Sequence, residues 1–225
     1  MKRENLGKAK ILERKGQGRN GSVQWPPASR HRRRSAKRML SVIIPTLDSE
    51  RTLVPTLTAL VAGATAGLIS EVLVVDGGSR DETAAVADAG GCNFLVAKGP
   101  LGRRFKTATV WARAPWLFFL RPGTVLDAPW TDEATRFVEQ SWSNGCAAAF
   151  RRSPPARPTL HDRFSTIAAA FGAKPRPEQG LIVSKWFYEQ IGGHSESAAD
   201  PEAELIRRIG RRRIVILAAS AFHAS

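Results

Sequence analysis

The sequence predicts an α/β domain with a mostly parallel sheet flanked by helices. Short apolar runs, Leu40 to Ile44, Val72 to Val75 and Trp116 to Leu120, alternate with stretches of helical spacing. That alternation builds parallel sheets through right-handed crossovers. One run is especially clear: Val72-Leu73-Val74-Val75 stops at Asp76, and Gly77-Gly78-Ser79 follow. It reads as a strand buried on both faces that ends in a sharp turn. With 225 residues, 43% of them hydrophobic, the chain can bury one sizeable core.

Leu40 to Ile44 forms the first predicted strand, ended by Pro45-Thr46-Leu47-Asp48. Asp48 or Ser49 can cap a helix over Glu50 to Ala66, where Leu53, Leu57, Leu60 and Val61 fall on one side. The uncharged run from Thr52 to Ser70 contains Pro55 and two glycines, which favours a helix packed on a sheet over a membrane span. After the Val72–Val75 strand, Ser79 or Asp81 can start a helix reaching Ala89. Cys92 to Val96 is a third strand, Pro100 to Ala114 a basic helix, and Trp116 to Leu120 a wholly apolar strand. Further on, the pattern predicts a helix over Trp130 to Trp142, a strand over Gly145 to Phe150 and a Pro/Arg loop over Arg151 to Pro158. An amphipathic helix over Leu160 to Phe171 comes next. Gly180 to Val183 is a short strand, Lys185 to Ile191 a helix, and Gly192-Gly193 a break. Asp200 to Ile209 is helical, with Pro201 in the first turn where proline is tolerated, and Ile214 to Ala218 is the last strand.

The net charge of +14 is unevenly spread. Of 34 Lys/Arg and 20 Asp/Glu, residues 1–40 hold 13 and 2, leaving 21 against 18 for the remainder. Residues 1–38 have too few large apolar side chains to offset the entropy of ordering, so they are expected to be a disordered basic tail ahead of a domain at 39–225. The cluster His31 to Arg38 suits contact with anionic lipid or nucleic acid, or simple solvation. Met39, just before the first strand, also fits a later translation start, and an Arg-rich, acid-poor targeting peptide would look similar. The charged N-terminus lacks the apolar core of a signal peptide, so a cytoplasmic protein, with a peripheral membrane contact through the tail, is expected. Two cysteines, Cys92 and Cys146, are expected as buried free thiols within strands. No metal-type Cys/His spacing, dinucleotide fingerprint, P-loop or nucleophile elbow is present.

Taken alone, Asp76 is equally a turn residue and a ligand-binding carboxylate at a strand end. The ordered series of segments says more. Val42-Ile43-Ile44-Pro45-Thr46-Leu47-Asp48, Val74-Val75-Asp76-Gly77-Gly78-Ser79 through Asp81 and Thr83, Gln179-Gly180-Leu181 with Ile191-Gly192-Gly193, and Glu202-Ala203-Glu204-Leu205 with Arg207-Arg208 follow one another. Together they resemble the family 2 glycosyltransferases of the GT-A (Rossmann-like) fold, in particular a short subgroup with a Val-Val-Asp-Gly-Gly-Ser strand end. The resemblance covers most of residues 40–218. It implies a transferase that moves a sugar from a nucleotide diphosphate donor to an acceptor the sequence does not name, with inversion. Pro45, Thr46, Asp48, Asp76 and Gly77 would line the nucleotide, and Asp76 would accept a hydrogen bond from the base. Gln179, Gly180 and His194 would lie on the acceptor side.

The chain departs from the family pattern in two places. After the fourth strand the family places a metal-binding aspartate; here the chain reads Arg121-Pro122-Gly123-Thr124. Mg and Mn need oxygen ligands that normally include a carboxylate, so the expected divalent cofactor is in doubt. Arg121, helped by Arg103, Arg104 or Lys106, can instead bind diphosphate oxygens; alternatively it is a surface arginine in a decayed site. The family's catalytic aspartate falls at Glu202, with Asp200 two residues earlier, so these are the candidate bases; the alternative reading is helix capping. Two other functions stay open: a catalytically inactive homologue that binds nucleotide or a protein, and a nucleic-acid or membrane-surface protein working through the basic tail.

Overall fold

A computed structural model describes residues 39–141, 145–153 and 175–223, all within one unit, Ala36–Ser225. The expected basic tail over 1–38, the loop beyond Ser153 and the helix at Leu160 to Phe171 lie outside the described residues. Eight strands form one sheet: β1 (Leu40–Thr46), β2 (Ile69–Asp76), β3 (Asn93–Val96), β4 (Trp116–Phe119), β5 (Thr124–Leu126), β6 (Ala147–Arg152), β7 (Leu181–Ser184) and β8 (Ile214–His223). The helices are α1 (Glu50–Thr65), α2 (Thr83–Ala89), α3 (Leu101–Trp111), α4 (Trp130–Gln140), α5 (Lys185–Gln190) and α6 (Pro201–Ile209). A 3-10 turn spans Pro177–Gln179.

The sheet order is β3-β2-β1-β4-β7-β6-β8-β5. From β3 to β4 every pairing is parallel. Beyond β4 the sheet turns mixed: β7 runs antiparallel to β4 and to β6, β8 parallel to β6, and β5 antiparallel to β8. The parallel half is therefore as the sequence predicts. β5, at three residues, carries no readable periodicity, and β8 runs on to His223 rather than stopping at Ala218. Arg151 and Arg152, expected in a loop, complete β6. The cysteines are free as expected but only half buried, and both sit just ahead of strands rather than inside them.

Alternation along the strands builds two cores. Leu40, Val42 and Ile44 of β1 and Trp116 and Phe118 of β4 face one side, with Leu53 and Leu60 of α1 and Trp130 of α4. Ile43, Leu117 and Phe119 face the other, with Phe105 of α3, Phe187 of α5 and Leu205 of α6. This is the period of two expected of a sheet covered on both faces. Pro45 is tolerated in the central strand β1 because pairing with β4 ends at Ile43, with Leu120 N donating to the Ile43 carbonyl. The missing N–H of Pro45 therefore removes no rung of the ladder. Together these elements bring the ends of β1, β2 and β4, with the residues after them, to one edge of the sheet.

Candidate functional site

The rim begins at Thr46 and Asp76, which are register partners at the ends of β1 and β2. The loops that follow are sewn together. Asp48 N donates to Ser79 Oγ at 2.8 Å, and Arg80 N donates back to Asp48 Oδ1 at 2.7 Å. Glu50 N donates to Asp81 Oδ2 at 2.9 Å, and Ser49 N to Thr83 Oγ1 at 2.8 Å. Asp48 sits at φ 48, a left-handed conformation that aspartate tolerates better than most side chains.

Asp76 is the hub of this clasp and is 2% exposed. Its Oδ2 accepts from Gly78 N and Ser79 N, both at 2.7 Å. Its Oδ1 accepts from Thr46 Oγ1 at 2.9 Å and Ser79 Oγ at 2.5 Å. A carboxylate offers about four acceptor positions, and here all four are used within the chain. Asp76 was expected to accept from the base; in this arrangement its carboxylate shapes the loop through the hydrogen bonds from Gly78, Ser79 and Thr46. Burial works to raise its pKa, but the hydrogen bonds from Ser79, Gly78 and Thr46 outweigh it and hold the carboxyl below its usual value. Asp76→Ala, which orphans these donors, is expected to cost about 2–4 kcal/mol, read by chemical denaturation. A depressed folded pKa stabilises above the unfolded value and is lost as pH falls through the folded one. The wild type should therefore show an acid limb of stability below about pH 4 that shrinks in the variant.

Arg104 reaches the same rim from α3. Its Nη1 donates to the Thr46 carbonyl at 2.9 Å. Gly77 leaves room for it, since a Cβ there would lie 2.9 Å from that nitrogen. Burial pulls the Arg104 pKa down, against the opposing pull of the Asp76 charge. Its Nε is buried without a partner among the described residues. Arg103, expected beside it, points elsewhere: its Nε pairs with Glu196 Oε2 at 3.0 Å, and Lys106 approaches Glu196 at 3.7 Å. These contacts fasten the loop before α6 onto α3, where Gly102 packs so tightly that a Cβ would come within 2.0 Å of the Ser195 carbonyl oxygen.

Arg121 follows β4 on the same edge of the sheet and is half-buried. Three carboxylates surround it: Glu202 Oε2 accepts from its Nε at 2.7 Å, Glu178 Oε1 from its Nη1 at 3.2 Å, and Asp200 Oδ1 lies 3.8 Å from its Nη2. Glu202 comes from the first turn of α6, Asp200 caps that helix by accepting from Ala203 N at 3.0 Å, and Glu178 comes from the 3-10 turn. Burial would lower the Arg121 pKa, but the Glu202, Glu178 and Asp200 charges raise it overall. Burial raises that of Glu202 further than Arg121 lowers it. The Glu202 side chain is 6% exposed, and its Oε1 makes no hydrogen bond among the described residues. His223 at the end of β8 donates from Nε2 to the Pro122 carbonyl at 3.1 Å and steadies the Arg121 loop. Glu178 was not singled out from the sequence; it belongs to no motif, and only the fold brings it to Arg121.

The residues expected on the acceptor side, Gln179, Gly180 and His194, are all packed within the fold. Gln179 is buried and its amide is spent on the backbone, donating to the Phe150 carbonyl at 2.5 Å and accepting from Arg176 N at 2.8 Å. Gly180 lies against Leu120 and Phe118, where a Cβ would come within 2.9 Å. His194 is 1% exposed and stacks on Phe105 with ring centroids 4.1 Å apart. Tyr188 Oη accepts from His194 N at 3.0 Å and shares a hydrogen bond with Nδ1 at 2.9 Å. Burial, with Arg208 and Lys106 nearby, pushes the imidazole pKa down to about 3, so it is a neutral core ring.

The described residues gather no ligand set for a divalent metal. The post-β4 segment supplies no carboxylate, the nearby acids converge on a guanidinium, and among the described residues no three His, Cys, Asp or Glu side chains are grouped to hold an ion. No described helix is long and apolar enough to cross a membrane.

Residues 41–120 match the family model described as Glycosyl transferase family 2. A search of curated protein sequences finds no match. Among solved structures, glucosyl-3-phosphoglycerate synthase from Mycobacterium tuberculosis, in complex with Mn2+ and uridine-diphosphate-glucose, is similar with a TM-score of 0.61 and 15% identity, over 84% of this chain and 72% of that one. The same enzyme with Mn2+, uridine-diphosphate and glucosyl-3-phosphoglycerate gives a TM-score of 0.59 and 17% identity, over 84% and 73%. S. aureus TarS gives a TM-score of 0.59 and 18% identity, over 81% of this chain and 60% of that one. Residues 41–120 thus match glycosyl transferase family 2, and the described domain shares the GT-A fold of these structures.

Proposed function

We propose that the domain transfers a sugar from a nucleoside diphosphate donor to an acceptor hydroxyl, with Arg121 in the role a divalent cation has elsewhere and Glu202 as the general base. The observation that carries this is the Arg121–Glu202 contact of 2.7 Å at the end of β4. One Glu202 oxygen is held by the guanidinium and the other is left to take a proton. In the reaction, the acceptor O–H proton passes to Glu202 Oε1 as the acceptor oxygen bonds to the anomeric carbon. The bond from that carbon to the diphosphate breaks, and its electron pair leaves on the diphosphate. A single displacement inverts the configuration. Charge grows on the leaving diphosphate, and fixed donors aimed at that charge lower the barrier. Arg121 supplies a planar fork matched to phosphate oxygens, and the unpartnered Nε of Arg104 supports a further donor at the rim. A carboxyl with a raised pKa suits a base, since efficiency improves as the pKa nears working pH. Asp76, Asp48 and Pro45 position the loops that would enclose the nucleotide.

The saturated Asp76 carboxylate favours a second reading, a homologue that binds nucleotide without turning it over. The deciding experiment offers UDP- and GDP-sugars with simple hydroxyl acceptors and follows nucleoside diphosphate release. Release that depends on acceptor and persists in EDTA is expected; nucleotide binding without release of any donor establishes the second reading.

A further inference from the structure

A cleft of about 630 Å3 lies beside α6. Ala203, Ile206 and Ile214 give it apolar lining, and Arg176, Arg207 and Arg211 give it positive charge. Helical spacing makes the arrangement: residues 203, 206 and 207 lie along one side of α6, with Gly210 just past its end, while Glu202, Leu205 and Ile209 lie on the buried face that Ile206 borders. Among the described residues no carboxylate lines the cleft. Arg207 approaches Glu204 only at 3.6 Å, and among the described residues Arg176 and Arg211 have no ion-pair partner. Arg212 and Arg213 follow directly, so positive charge continues along the turn into β8. A concave apolar site of this size with a few convergent charged groups has the make-up of a small-molecule site. Bare apolar lining would select no charge; three arginines select an anion, and guanidinium groups match phosphate oxygens well.

We infer that this cleft binds an anionic amphiphile, a molecule carrying a phosphate-type group next to an apolar chain. Resting on the transferase reading, it places that molecule as the acceptor. Two elements join the cleft to the candidate base: Ala203 directly follows Glu202 in α6, and Pro177 of the cleft directly precedes Glu178, which holds Arg121. An acceptor anchored there by its anion and apolar chain would need only to reach around the first turn of α6.

The test is a calorimetric titration of the full chain with dodecyl phosphate below its micelle concentration. Inorganic phosphate and the uncharged dodecyl maltoside are the comparison probes. One dodecyl phosphate per chain is expected, about tenfold or more tighter than either comparison probe. Arg176→Ala combined with Arg211→Ala should weaken it about tenfold, and Ala203→Trp, at an exposed helix position, should block it sterically. UDP titration of the same variants should be unchanged, because the cleft shares no residue with the rim. Equal binding of inorganic phosphate, equal binding of dodecyl maltoside, no binding, or dodecyl phosphate binding that both variants leave intact would each overturn the inference. If dodecyl phosphate binds as expected while UDP does not bind at all, the cleft stands as a site and the transferase reading falls separately.

Discussion

Glu202→Gln is expected to lower turnover by about 10^2–10^4-fold, the usual worth of a positioned general base. Glutamine keeps an oxygen that can accept from Arg121 Nε, so the contact at the end of β4 survives while the proton acceptor is lost. Nucleoside diphosphate binding should therefore not weaken, and the substitution leaves Arg121 with one fewer negative neighbour. A purely structural role for Glu202 would instead lower binding and turnover together. The pH profile adds a sign. The base must be ionised, and burial raises the Glu202 pKa above its ordinary value despite the opposing effect of Arg121. Activity of the wild type should then fall on the acid side at a pH above the ordinary glutamate value, and this limb should vanish in the residual activity of the variant. Initial rates across pH, with nucleotide binding measured alongside, check both.

Arg121→Ala is expected to destabilise the domain by about 3–5 kcal/mol, the cost of leaving a buried charge without its partner. Three carboxylates share that guanidinium, and the Glu202 side chain, 6% exposed, has least access to water to compensate. The loss should be smaller in Arg121→Ala combined with Glu202→Gln, since the second change removes the orphaned charge. Denaturant melts of the three proteins give the comparison.

The parallel half of the sheet was legible because its strands are buried on both faces and so write continuous apolar runs. Val72 to Val75 and Trp116 to Leu120 could hardly be anything else. The second half was harder, because direction is not encoded in such runs: β7 and β4 are both apolar, yet they pair antiparallel. Asp76 was found as a rim residue, but a sequence does not show how many donors its own turn will present, and Ser79, Gly78 and Thr46 take every acceptor position. The burial of His194 and Gln179 was not legible for a related reason. Polar residues beside glycines read as exposed loop, while here Tyr188 and the Phe150 carbonyl give them buried partners. Arg121 and Glu202 were legible as departures from a pattern, one missing acid and one lengthened acid. Their pairing, and the part played by Glu178, came only with the fold.

The most direct test of the central claim is calorimetric titration of UDP and GDP, first in EDTA and then in Mn2+, with the wild type and Arg121→Ala. The account predicts that one of these nucleotides binds the wild type in EDTA with an affinity Mn2+ does not improve. It also predicts that Arg121→Ala, confirmed as folded, loses about tenfold or more of that affinity in EDTA. Binding that appears only when Mn2+ is added, and that Arg121→Ala leaves intact, would contradict it.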